Sequence, residues 1–437
     1  MVKLKRLKIE KYRNVKPGTE LRFRDSLNVM LGRNGTGKTT LLNLIVQILS
    51  WDFSKLQTET ANLEYEMQAS DVELTVRLRT EALQTPLQLS ADVQPLPGEL
   101  LTMGLGQRIP HYTTILEFDV VRPGEQPWVI RSEGTVLTLG KQGESTLTIT
   151  PERSLIGQNF LFALLNTLVS NPTTRQSPDL LHTLIEFNNG WLPFLERFDE
   201  SLWYLEQVIE QGSLLAVKRT KGSDKYFVAP SGGPISFAQK LENALNHSQE
   251  FSDIKIESQD EGMDFLQRLV ELLGFKSAQV HIQRIARSAD PHPQLEFGNI
   301  QFYFTRRDGS IINHSLLSYG QKRLLAFYYY LATYPTSVVA DELVNGMHHE
   351  WIEACLEDLG ERQAFLTSQN PLLLDYLSFE SADEVRTSFV LCRTEFHEGR
   401  EQLVWENMSA EDAEGFFKSY QVAIQHVSEL LRTRGLW

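Results

Sequence analysis

The chain has 437 residues, 56 acidic against 42 basic, and a net charge of −14. That length allows two or three domains with ample core, and 41% apolar with 22% charged residues is the composition of an ordinary globular protein. The acidic balance argues against a protein that coats nucleic acid by neutralising phosphates, and no apolar run approaches the ~18 residues of a membrane span.

The chain opens MVKLKRLKIEKYRNV, where Lys3, Lys5, Arg6, Lys8, Lys11 and Arg13 face a single acid, Glu10. No apolar h-region follows, so the stretch is not read as a signal peptide. It reads as an edge strand guarded by lysines, with a local grip on nucleic acid as the alternative. Leu27–Leu31 is next, a short β-prone run of the kind a buried parallel strand needs. It leads into Gly32-Arg33-Asn34-Gly35-Thr36-Gly37-Lys38-Thr39, which fits G-x-x-x-x-G-K-[ST]. Glycines in that pattern let successive backbone N–H groups point inward at phosphate oxygens. Lys38 adds a charge for the β- and γ-phosphates, and the Thr39 hydroxyl can hold Mg²⁺. The expected nucleotide contacts are Asn34, Gly35, Gly37, Lys38, Thr39 and Thr40. Leu41, Leu42, Ile45, Val46, Ile48 and Leu49 then keep helical spacing, so the positive end of a helix faces the phosphates. Strand before and helix after is the context the motif demands, and the sequence predicts a nucleoside-triphosphate site.

Residues 61–150 alternate, as in VELTVRL, TTILEFDVV and TLTIT, which predicts antiparallel strands. Around and after the polar break SNPTTRQSP, helical patterns run through LFALLNTLV, LLHTLIEF and WYLEQVIEQ. LLAVKRTKGSDKYFVAP reads as a hairpin, and two more helices are expected near 236–249 and 261–274. The hairpin's Lys218, Arg219, Lys221 and Lys225 form a solvated tip or a grip on nucleic acid or a partner. No heptad repeat is sustained, which excludes a long coiled coil. Residues 280–315 return to β structure, with a hairpin through Asp308-Gly309.

LLSYGQKR follows, at residues 316–323, with Ser318 opening a helix whose apolar positions continue through Leu324, Leu325, Phe327, Tyr328 and Leu331. A Ser hydroxyl, the Gly320 N–H and a helix N-terminus together make an anion site. SVVADE, at 337–342, is an apolar strand ending in two acids. Asp341 can enter a Mg²⁺ shell, and Glu342 can polarise an attacking water. The two cysteines, Cys355 and Cys392, give neither a disulfide framework nor a metal-ligand spacing, as expected in a reducing cytoplasm. HHEWIE lacks the second His of H-E-x-x-H and is not read as a metal site. A long helix closes the chain, with Ser409 and Asp412 as its capping pattern and Phe416, Phe417, Tyr420, Ile424, Val427 and Leu431 as its stripe.

With phosphate loop, LSxGQ and Asp-Glu in this order, the chain resembles the ATP-binding-cassette class, whose signature reads Leu-Ser-Gly-Gly-Gln. Tyr319 stands where that signature has its first Gly. Three stretches resemble the SMC, RecF and OLD-like branch rather than transporters. Tyr12-Arg13-Asn14 is similar to the branch's Phe-Arg-Asn, with Arg13 placed to reach the nucleotide. DELVNGMHHEW is similar to Asp-Glu-Ile-Glu-Asn-Gly-Leu-His-Pro, with Asn345 and Gly346 in a partner-facing loop and His348 as the branch's histidine. Phe365-Leu366-Thr367-Ser368-Gln369 resembles the strand that ends in a γ-phosphate-sensing His, which Gln369 replaces here. A Gln can donate a hydrogen bond but cannot carry charge or a proton.

The resemblance implies an α/β P-loop NTPase: an ABC-type, two-lobed ATPase head interrupted by a helical insertion. The expected boundaries are 1–155 for the first lobe, 156–275 for the insertion and 276–437 for the second lobe. It further implies ATP and Mg²⁺ as cofactors, Glu342 and Gln369 as catalytic residues, and Thr39 and Asp341 on the metal. A homodimer would carry composite sites in which Ser318, Gly320 and Gln321 of one copy meet the nucleotide of the other, with a larger ring of dimers left open. The Tyr319 ring would pack on the partner's nucleotide or flank it. The resemblance extends to stand-alone ATPase subunits of bacterial anti-phage systems such as Septu and PARIS, implying a separate nuclease effector. A RecF-like repair protein and a non-hydrolysing ATP-sensing scaffold are the alternatives.

Overall fold

A computed structural model describes residues 1–82, 112–152, 154–157, 159–174, 178–188, 195–199, 215–219, 226–230, 233–247, 253–285, 295–422 and 426–436. The expected helix in WYLEQVIEQ and the Lys221 and Lys225 positions lie outside these residues. The chain divides into two compact units. One comprises Met1–Phe23, Gln47–Asn189 and Cys392–Glu406, the other Arg24–Val46, Gly190–Leu391 and Asn407–Trp437.

The first unit is built on an eight-stranded antiparallel sheet. Its order is Thr19–Arg22, Val2–Tyr12, Ala61–Ala69, Val72–Ala82, Tyr112–Val121, Trp128–Glu133, Val136–Lys141 and Leu147–Ile149. Alternation sets its two faces, as strands of period two require. In Val72–Ala82, for instance, Val72, Leu74, Val76 and Leu78 are buried while Glu73, Arg77 and Arg79 are exposed. Trp51, Phe53, Phe118 and Phe160 pack ring against ring, Phe118 and Phe160 at 5.3 Å, and seat the helix Phe160–Ser170.

The basic N-terminal strand is not the edge strand expected: Val2–Tyr12 lies between Thr19–Arg22 and Ala61–Ala69, and two of its basic side chains pair with acids of the sheet. Arg6 pairs with Glu66 at 2.8 Å and with Glu64, and Lys8 with Glu10 at 2.7 Å. The pattern continues across the strands with Arg77–Asp119 at 2.6 Å and Arg131–Glu117 at 2.7 Å. Cross-strand pairs of opposite charge stabilise a sheet modestly, and Arg6, Arg77 and Arg131 are each held in such a pair.

The second unit holds a parallel sheet and a six-stranded antiparallel one. In the parallel sheet Leu27–Leu31 lies between Gln363–Thr367 and Phe389–His397, and Ser337–Ala340 flanks Gln363–Thr367. Leu27–Leu31, Ser337–Ala340 and Gln363–Thr367 are buried nearly throughout, as expected where both faces are covered, whereas Phe389–His397 is buried only over its first four residues. The antiparallel sheet includes the expected hairpin, with Leu215 opposite Pro230 and Arg219 opposite Tyr226, together with Leu295–Thr305, Ser277–Ile285, Ile254–Glu257 and Ile311–Asn313. The helix Tyr319–Thr333 is buried from Arg323 through Leu331. Phe198, Phe237 and Phe265 meet its Phe327, Tyr329 and Tyr330.

The single long C-terminal helix is corrected to two, Ala410–Gln421 and Val427–Thr433. The first begins as expected, with Ser409 accepting from the Asp412 N–H at 3.0 Å. The apolar stripe runs past its end, but His426 takes extended φ and ψ and starts a new helix. Periodicity registers the burial of Phe416, Val427 and Leu431 without registering that break.

Candidate nucleotide-binding site

The phosphate loop lies between Leu27–Leu31 and the helix Lys38–Ser50, as its motif requires. Gly35 and Gly37 take φ of 85° and 82°, the left-handed region in which a Cβ is strained. A cavity of about 590 Å³ opens there, lined by residues 34–40 together with Arg197, Asp199, Asp341, Glu342 and Gln369. Lys38 is buried, and its Nζ donates to the Gly32 carbonyl at 2.7 Å and the Arg33 carbonyl at 3.1 Å. The ammonium is thus held by the loop itself.

The two acids follow Ser337–Ala340 directly. Asp341 accepts from the Thr39 hydroxyl at 2.7 Å through Oδ2, and its Oδ1 accepts from the Thr367 hydroxyl. Thr39 and Asp341, 302 positions apart, are therefore in contact. Glu342 adopts φ of 53°, uncommon for a residue with a side chain and costly by about 1–2 kcal/mol. Three contacts hold it there. Its N–H donates to Thr367 Oγ1 at 3.0 Å, its carbonyl accepts from Arg323, and its Oε2 accepts from the Gln369 N–H at 2.8 Å. Strain held by its surroundings is common at functional sites. Burial pushes the Glu342 carboxyl above its ordinary range, and Asp341 adds to this, while the Gln369 N–H and Lys38 pull the other way. Gln369 also reaches the phosphate loop, its Nε2 donating to Asn34 Oδ1 at 2.9 Å.

Two arginines at this site carry no sequence motif. Arg197 is bonded to Asp341 Oδ2 and lies 3.9 Å from Asp199. Its segment runs beside the Asp-Glu strand: Phe198 N–H donates to the Val339 carbonyl at 2.8 Å, and Asp341 N–H to the Phe198 carbonyl at 2.7 Å. Arg323 is fully buried, with its guanidinium 5.0 Å from the centre of the Phe198 ring. It donates to the carbonyls of Asp199 at 2.8 Å and Leu343 at 3.2 Å, besides that of Glu342. Arg323 follows Lys322 directly after the signature turn, where a basic residue before an apolar run gives no signal of burial. Arg197 offers none either.

The signature residues are placed differently. Ser318, Gly320 and Gln321 do not line the cavity. Ser318 and Gln321 cap the helix Tyr319–Thr333 reciprocally, Gln321 N–H donating to Ser318 Oγ at 3.4 Å and Ser318 N–H to Gln321 Oε1 at 2.9 Å. The Tyr319 ring, half exposed, covers Gly346 of the same chain: a Cβ on Gly346 would lie 2.7 Å from Tyr319 Cε1. A Cβ on Gly320 would lie 2.7 Å from the Gly346 carbonyl oxygen, so signature turn and post-acid loop are fitted to each other. Arg13 lies in the first unit at a turn with φ of 48°, and its guanidinium forks onto Glu59 at 2.9 and 3.1 Å.

Known proteins bear on this geometry. The family described as "AAA domain, putative AbiEii toxin, Type IV TA system" matches residues 27–375. No curated protein matches the chain. Among solved structures, the chain is similar to an SMC head bound to the C-winged helix domain of ScpA, at 10% identity over 93% of this chain and 98% of that one, with a TM-score of 0.38. The SMC head domain from Thermotoga maritima gives 11% identity, 93% and 99% coverage and a TM-score of 0.35. The recombination mediator RecF-ATPrS gives 12%, 93%, 98% and 0.33. The family match spans well over half of the chain and takes in the phosphate loop, the LSxGQ turn and the Asp341–Glu342 pair, so the chain belongs to this AAA family.

Proposed function

We propose that the chain binds ATP with Mg²⁺ in the cavity above the phosphate loop, hydrolyses it slowly, and pairs with a second copy around the nucleotide. The observation that carries this reading is the meeting of Lys38, Thr39, Asp341, Glu342 and Gln369 around one cavity, from three separate segments. Thr39 and Asp341 would hold the ion, and a hydroxyl with a carboxylate is the all-oxygen donor set that suits a hard cation. Bound there, Mg²⁺ supplies charge neutralisation at the β- and γ-phosphate oxygens. Lys38 exchanges its loop carbonyls for phosphate oxygens. Glu342 takes the role of orienting water, its raised affinity for a proton suiting it to accept one. Gln369 supplies a neutral hydrogen bond where a His could carry charge, which supports slow turnover and a long-lived ATP state. Ser318, Gly320 and Gln321 serve the second copy's nucleotide, and their exclusion from their own chain's cavity fits that role.

In this reading the ATP cycle regulates a separate effector, a nuclease, in anti-phage defence. The support is the sequence resemblance to stand-alone defence ATPases, together with a family described as a toxin of a toxin–antitoxin system. Recovering the chain from its native host with and without ATP tests it: an associated nuclease is the expected result. Recovery with DNA alone would move the reading to a RecF-like repair protein, which the acid-paired arginines of the eight-stranded sheet disfavour. Absence of turnover by the purified chain with ATP and Mg²⁺ would leave an ATP-sensing scaffold, the alternative that Gln369 favours.

A further inference from the structure

Resting on the nucleotide reading above, we infer that Arg197 is a built-in counter-cation for Asp341, which a divalent metal must displace when nucleotide binds. The guanidinium is bonded to Asp341 Oδ2, the same oxygen that accepts from Thr39. A metal drawing on Thr39 and Asp341 therefore needs the electron pairs that Arg197 occupies. The two cations exclude each other there by charge as well as by space.

Arg197 is not a surface side chain that happens to fall on an acid. Its backbone segment is fixed on both sides: the Tyr330 hydroxyl donates to the Glu196 carbonyl at 2.8 Å, Phe198 makes ladder bonds to Val339 and Asp341, and the fully buried Arg323 grips the Asp199 carbonyl. The backbone thus keeps Arg197 at the cavity while its side chain is left to change partners. Asp199, 3.9 Å away and also lining the cavity, is an acceptor for the guanidinium once Asp341 is taken. Without nucleotide, the arrangement keeps Asp341 neutralised and Thr39 oriented. It also sets a threshold on metal entry, so that the site closes on the metal–nucleotide pair rather than on free cation. Arg197 is thus a positioning residue whose effect is read in metal dependence.

The test is a titration of Mg²⁺ against a fluorescent, non-hydrolysable ATP analogue at fixed concentration, which reads binding without turnover. For Arg197→Gln the half-saturating Mg²⁺ is expected to fall roughly tenfold, the size of one lost charge-assisted hydrogen bond. Arg197→Lys keeps the charge but loses the planar fork, so its midpoint is expected between those of Arg197→Gln and the unaltered chain. Thermal melting of the metal-free variants checks folding, and the lysine variant carries the test if the glutamine variant does not fold. An unchanged or higher Mg²⁺ midpoint in the folded variants would overturn the inference. If the unaltered chain binds no analogue at any Mg²⁺ concentration, the nucleotide reading itself fails, an outcome distinct from a bound analogue whose midpoint does not move.

Discussion

The phosphate loop and the signature turn are both short Gly-containing motifs at helix N-termini, yet the chain treats them in opposite ways. Around the loop, side chains from distant segments converge, and each polar group has a partner that a nucleotide or metal could replace: Lys38 on carbonyls, Asp341 on Thr39 and Arg197, Gln369 on Asn34. At the signature turn the polar groups close on themselves, Ser318 with Gln321, while Leu316 and Tyr319 stay exposed. A site completed within one chain gathers its charges, whereas a site awaiting a second surface keeps a preformed shape and leaves apolar side chains outside. This difference is what the proposed two-chain site would require.

Substitutions can break the comparison from either side. The largest effect is expected from Lys38→Ala, which removes the cradle's central charge. ATP affinity should fall by about 100-fold, measured by calorimetry, while Ser318→Ala leaves affinity in the isolated chain within about threefold, since its cost is about 1 kcal/mol of helix capping. Equal losses from both would erase the distinction. Next is Gln369→His, which restores a side chain able to carry charge beside Glu342 and Asn34. Steady-state turnover is expected to rise about tenfold, and an unchanged or lower rate would count against Gln369 as the cause of slow hydrolysis. The smallest effect concerns the signature turn alone. Gly346→Ala places a methyl against the Tyr319 ring at a φ of 74° and should cost about 1–3 kcal/mol in denaturant unfolding. In a Tyr319→Gly background the steric part of that cost should vanish, leaving about 1 kcal/mol of backbone strain. Identical costs in both backgrounds would show that the ring does not bear on Gly346.

Much of this was legible before any coordinates. Leu27–Leu31, the helix from Lys38, the alternating strands and the Asp341–Glu342 turn follow from periodicity and punctuation, because local spacing determines them. Bringing Thr39 to Asp341 also follows, since the two motifs imply one site. Arg197 and Arg323 were not legible as site residues. Their contacts with Asp341 and Glu342 depend on which segment lies beside Ser337–Ala340, here the one through Phe198, and no local pattern states that. Tyr319 looked like a departure from a Gly-rich signature. Its ring over Gly346 ties it instead to the loop after the acids, a pairing of two positions that each look unexceptional alone. The C-terminal stripe misled in the reverse sense, since one apolar period spans two helices.

The central claim, a site complete for binding in one chain and completed for its cycle by a second, is tested most directly by the mass of Glu342→Gln in solution. Sedimentation with and without ATP and Mg²⁺ is the measurement, with bound nucleotide quantified in the same sample. The expected result is a monomer without nucleotide and a stable dimer carrying two ATP with it, because binding is kept while water activation is lost. A variant that binds ATP and remains monomeric would contradict the account.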